Sequence, residues 1–164
     1  NKNIGIGCAD GRIGKGMIHT ESGSDNMWSI DKEELMERIC ESTKSVADHF
    51  AGHIVYINIL RNMSVSCDCE GVGAAPVVTP NIGIVASTDI LAADQASVDL
   101  VYALKASDRH DLVERMETRH GLRQLSYMKE LGMGNDRYRL LDIDNGDKEI
   151  STAEAVKDVV PFKA

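Results

Sequence analysis

"IVYINIL", residues 54–60, is the stretch whose reading decides the fold. All of it except Asn58 is apolar, and it is rich in β-branched residues. A run this short and this apolar reads as a strand covered on both faces, the pattern of a parallel sheet. Working outward, Asn81–Ala86 reads as another strand. Asp89–Lys105 follows as a helix, with Ala93, Ala96, Val98, Leu100, Val101 and Leu104 supplying its apolar surface. Upstream, Leu35, Met36, Ile39, Cys40, Val46, Ala47 and Phe50 recur at helical spacing, so Asp31–Ala51 reads as a helix. Asp31 and Glu34 make a capping box at its start. Cys40 then falls in the core, the usual place of a free cysteine.

The flanks extend the alternation. Asn3–Gly7 reads as a short opening strand, and Tyr138–Ile143 as a closing one before the turn signal "NGD". Helical pattern covers Leu112–Arg119, Leu122–Leu131 and Thr152–Val160, with Gly132 and Gly134 stopping the second of these. Strand–helix alternation predicts an α/β layered sandwich, a mostly parallel sheet flanked by helices, with residues 54–60 central. At 164 residues the chain fits a single domain spanning 1–164. It opens on Asn1 rather than a methionine, which suggests a fragment of a longer chain.

Charge and cysteine usage bound the function. A net charge of -8 argues against a nucleic-acid partner. No apolar run is long enough to span a bilayer as a helix, and no leader opens the chain. Four cysteines in a chain of this size make no disulfide framework, which fits a reducing compartment and a cytoplasmic location.

In a parallel sheet, sites form outside the carboxyl ends of strands. Cys8 directly follows the first predicted strand, and Cys67 and Cys69 in "SCDCEG" follow the second. Ser87, Thr88 and Asp89 stand where the third strand meets its helix. Parallel strands would bring all three loops to one edge. Two thiolates, a third from Cys8 and the imidazole of His19 make a chemically sensible soft-metal set, zinc or iron, without a standard spacing. A disulfide between residues two apart would be strained. Packing of two thiols in a loop is the competing account.

The glycine-rich opening "GIGCADGRIGKG" matches neither nucleotide motif. Asp10 stands where the dinucleotide fingerprint needs glycine, and Ala9 and Gly16 break the phosphate-loop pattern. Lys15 remains a candidate for an anion. Asp89 is explained by capping its helix. Asp94 sits among Ala92, Ala93 and Ala96, a close-packed setting where a carboxylate needs a partner. Asp94 and Asp99 are five apart and do not share a helix face.

These residues carry a resemblance. "YINILRNMSVSCDCEG" followed by "PNIGIVASTDILAADQASVDLV" resembles the uncharacterised iron–sulfur centre protein family, also called domain of unknown function 362. "IGIGCADGRIGKGMIHT" is similar to its G-x-G-C segment leading to a G-K and a histidine, and "QLSYMKELGMGNDRYRLLDID" to its closing helix and strand. The resemblance implies an iron–sulfur cluster. Many members carry a ferredoxin-like insertion with cysteine runs, but "ESGSDNMW" stands in that place here without a cysteine. Ile90 replaces the usual proline. The resemblance also implies a preceding N-terminal half, which would make the chain the family's C-terminal portion.

Three functions follow. One is a metal-binding or redox-associated module built on Cys8, His19, Cys67 and Cys69, working with an electron-transfer partner. Another is an enzyme domain acting on a small anionic substrate through Lys15, Ser87, Asp89 and Asp94, with no catalytic residue assigned. The third is a non-catalytic structural half that pairs with the missing N-terminal segment. A large exposed apolar patch would favour the third.

Overall fold

Residues 56–60 form a strand, but its neighbour runs the other way. The computed structural model describes residues 1–20, 29–66 and 73–161. β1 (Tyr56–Leu60) pairs antiparallel with β2 (Gly83–Ser87), Tyr56 facing Ser87 and Leu60 facing Gly83. The expected parallel sheet is therefore corrected to an antiparallel pair within a mixed α/β fold. The connection explains the difference. Parallel neighbours need a crossover, usually a helix, whereas antiparallel strands need only a loop. Among the described residues between β1 and β2 there is no α-helix.

Burial corrects the expectation that residues 54–60 are covered on both faces. Tyr56 and Leu60 are buried, but Ile57 and Ile59 are 61% and 62% exposed. The inner face lies on α4 (Ile90–Ala103), which touches both strands. Ile90, Leu91, Ala93, Ala96, Ser97, Leu100 and Val101 of α4 are buried. Each fully buried Ile or Leu contributes about 1.5–3 kcal/mol before chain entropy is charged against it.

The N-terminal layer packs beside this unit. α3 (Lys32–Phe50) starts at Asp31, whose Oδ1 accepts from the Glu33 N–H at 2.8 Å and the Glu34 N–H at 3.4 Å. Glu34 turns to Arg38. Its buried stripe is Ile39, Cys40 and Thr43, while Phe50 is 45% exposed. The expected strand over residues 3–7 is a helix instead, α1 (Lys2–Gly7). The Ile4 and Gly5 N–H groups both donate to the Asn1 carbonyl, which begins the turn. Gly5 lets α1 press onto α3: a Cβ there would stand 2.6 Å from Thr43 Oγ1. Ser42 Oγ donates to the Gly5 carbonyl at 2.6 Å. A five-residue apolar alternation is weak enough for such contacts to overrule. α2 (Gly14–His19) follows and touches α3.

After α4 come α5 (Ala106–Thr118) and α6 (Arg123–Glu130). Gly132, at φ +66°, occupies the left-handed position after α6 that ends such helices. The closing strand predicted over 138–143 shrinks to β3 (Leu141–Asp142), paired with β4 (Lys148–Glu149). Between them lies a 3-10 turn over Ile143–Asn145, followed by Gly146 and Asp147 at φ +72° and +59°. The final helix is shorter than expected, α7 (Thr152–Val156), with a complete capping box between Ser151 and Glu154. The core divides in two. One cluster joins Cys40, Tyr56, Ile90, Leu91, Ala93 and Met128, and the other Leu60, Val85, Ala96, Leu100, Leu104 and Val156.

Candidate functional site

A polar layer sits between β1 and α4. Asn58 is the one polar residue on the inner face of β1, between buried Tyr56 and Leu60. Its Nδ2 lies 2.8 Å from Asp94 Oδ1 and 3.0 Å from Ser97 Oγ, both on α4. Ser97 Oγ in turn donates to the Ala93 carbonyl at 2.7 Å. Asp94 Oδ2 is 3.0 Å from the Asn1 nitrogen. The Asp94 side chain keeps 19% of its surface, and the partner that its alanine-rich surroundings called for is present. Each carboxylate oxygen can accept more than one hydrogen bond, so accepting capacity remains.

A cavity of about 440 Å³ lies beside this layer, lined by residues of α1, β1 and α4 together with Asn1, Val55 and Gln124. Asn1 Nδ2 donates to Gln124 Oε1 at 2.7 Å, but Asn1 Oδ1 is buried without a partner. Cys40 lies at 3.2 Å from the same Nδ2. Burial is the main cause raising the Cys40 thiol to about 11, so it stays protonated at neutral pH.

The other sequence candidates separate. Asp89 caps α4, its Oδ1 accepting from the Ala92 N–H at 2.9 Å, and its Oδ2 accepts from the Asn135 N–H at 2.8 Å. Ser87 Oγ accepts from the Asp89 N–H at 3.0 Å. The negative charge of Asp89 already stands where an anion would meet the helix start, which weighs against an anionic ligand there. Its proximity, after burial, also raises the Tyr56 phenol. Lys15 is an exposed residue of α2. Cys8 ends a helix rather than a strand and is exposed. His19 closes α2, its Nδ1 2.7 Å from the Lys15 carbonyl.

The expected convergence of loops is corrected. In the antiparallel pair the carboxyl end of β1, which leads toward Cys67 and Cys69, lies at the opposite end of the sheet from Ser87 and Asp89. Cys67 and Cys69 themselves lie outside the described residues. Among the described residues no three His, Cys, Asp or Glu side chains form a group able to hold a metal. Asn58, Ser97 and Asn135 were not predicted. A polar residue inside an otherwise apolar strand was the available signal for Asn58.

The first 99 residues match the family model described as "Domain of unknown function (DUF362)", and the chain belongs to that family. The match takes in α1 to most of α4, and with them Asn58, Asp89, Asp94, Ser97 and all four cysteines. No curated protein and no solved structure matches the chain. Among the described residues no helix is long and apolar enough to cross a membrane.

Proposed function

We propose that this chain works as a structural half of a DUF362 protein, a two-stranded platform completed by further polypeptide. One observation carries this: on the outer face of β1–β2 and its approach, Val55, Ile57, Ile59 and Ile84 are each more than 60% exposed. Ile59 faces Ile84 across the pair, so the side chains adjoin. Contiguous exposed aliphatics mark an interaction surface. α4 covers only the inner face of the pair, so this outer face is the one left open. The test is binding of an environment-sensitive apolar dye to the parent and to an Ile57→Thr/Ile84→Thr variant. Strong dye fluorescence in the parent, falling several-fold in a variant with unchanged circular dichroism, supports the platform. A parent that leaves the dye dark overturns it.

A second reading keeps the soft-metal site. Ser66 Oγ accepts from the Ala75 N–H at 2.8 Å, which ties together the two ends of the segment carrying Cys67 and Cys69. Closing a short loop in this way lowers the entropy cost of bringing two thiolates to one ion. Exposed Cys8 and half-buried His19 are the further ligands in this reading. Thiolates would supply charge to a zinc or ferrous ion, tying loop to helix. Thiol titration with and without zinc tests it: metal protects at least two thiols in the parent and not in Cys67→Ser/Cys69→Ser.

A further inference from the structure

We propose that the outer edge of β1 is a docking groove for an extended strand of other polypeptide that presents an N–H donor side chain toward Asp94. The inference rests on the platform reading and names its occupant. Three observations meet at this edge. First, neither YINIL nor GIVAS contains a charged residue or a proline, the devices that keep free edges from pairing. Such edges are built to be covered. Second, the cavity of about 440 Å³ runs between the start of α1 and β1, touching Asn3, Val55, Ile57, Asn58 and Asp94 but no residue of β2. It therefore follows the side of β1 away from its partner strand. Third, the polar groups along it are short of donors. Asp94 retains exposed surface, and the Asn1 side chain, 1% exposed, holds an Oδ1 with no partner. Of the two, Asp94 is the acceptor that an added strand can reach, since its side chain keeps 19% of its surface.

The same observations argue against a second copy. A closed two-fold pairing through β1 would place the same edge of each copy against the other. It would set each copy's Asp94 beside the shared axis in a chain of net charge -8. A strand from elsewhere that carries a donor instead of a carboxylate escapes this repulsion. Its inward side chains alternate with outward ones, so a donor facing Asp94 places apolar neighbours on the exposed face beside Ile57 and Ile59.

The probe is a capped heptapeptide of alternating valine and threonine with asparagine at its centre, and its twin with aspartate there. The two are nearly isosteric, but only asparagine donates. Amide shifts of the 15N-labelled chain locate binding. Expected are shifts at residues 55–58 with β2 unmoved, and binding of the aspartate twin weaker by about tenfold, which is about 1.4 kcal/mol. Asp94→Asn should narrow that difference to about threefold or less; should it not fold, the peptide pair on the parent chain decides alone. Equal binding of the two peptides, shifts confined to β2, or no binding by either overturns the groove. The platform reading survives those outcomes if the apolar dye binds, and falls with them if it does not.

Discussion

Asp89 and Asn135 are joined across forty-six positions of sequence: the Asn135 N–H donates to Asp89 Oδ2 at 2.8 Å while Oδ1 caps α4. The approach is close because residue 134 is glycine. A Cβ there would fall inside the Asp89 carboxylate. One carboxylate thus starts α4 and anchors the chain leaving α6.

This double use sets the outcome at Asp89. A cap alone would tolerate asparagine with little loss. Here Asp89→Asn keeps one acceptor and loses the other, so it should cost about 1 kcal/mol, and Asp89→Ala about 2–3 kcal/mol. Gly134→Ala should destabilise by a similar amount through the same contact. Urea unfolding of the three variants checks this. An Asp89→Asn chain as stable as the parent would show that the Asn135 bond contributes nothing.

Asn58→Asp should be far worse than its size suggests. It replaces a donor to Asp94 with a second carboxylate. Like charges in a half-buried layer repel unless one is protonated. The variant's melting temperature should therefore rise on acidification toward pH 5 relative to the parent's. A pH-independent difference between the two would rule out charge repulsion as the cause.

Cys40 should resist alkylation in the native chain while Cys8 reacts, because burial holds one thiol up at about 11 and leaves the other exposed. The sign of the linkage follows. Above its ordinary value near 9.0 the unfolded thiol loses its proton while the folded one keeps it. The unfolded state then binds fewer protons, so this group's contribution to stability falls between about pH 9 and about 11. Cys40→Ala should flatten that part of the profile. An unchanged slope would remove Cys40 as its source.

Faces of the same strand pair should respond oppositely. Leu91→Ala, at a fully buried position beneath the sheet, should cost about 2–5 kcal/mol. Ile57→Thr, on the open face, should stay within about 0.5 kcal/mol. Thermal unfolding of both separates them, and a comparable loss at Ile57 would mean that its face is already covered in solution.

Much was legible locally. Asp31 before an apolar stripe started α3, Asp89 before an alanine-rich run started α4, and Cys40 lay in the core, because caps and helical spacing are decided within a few residues. The sense of β1 and β2 was misread: the apolar run of residues 54–60 suggested a parallel sheet, whereas the pair is antiparallel, and the lack of helical pattern between the strands was the signal available for it. That run misled because its outer face is apolar and open, and sequence records only what a side chain is, not what covers it. Asn3–Gly7 was beyond local reading: five residues carry too little periodicity, and the contact of Gly5 with α3 made the helix. The link from Asn58 to Asp94 and Ser97, and from Asp89 to Asn135, belongs to tertiary structure alone. Sequence shows each polar group and its need for a partner. Only the folding of distant segments onto one another decides which partner meets it, because a hydrogen bond depends on distance and direction in space and not on separation along the chain.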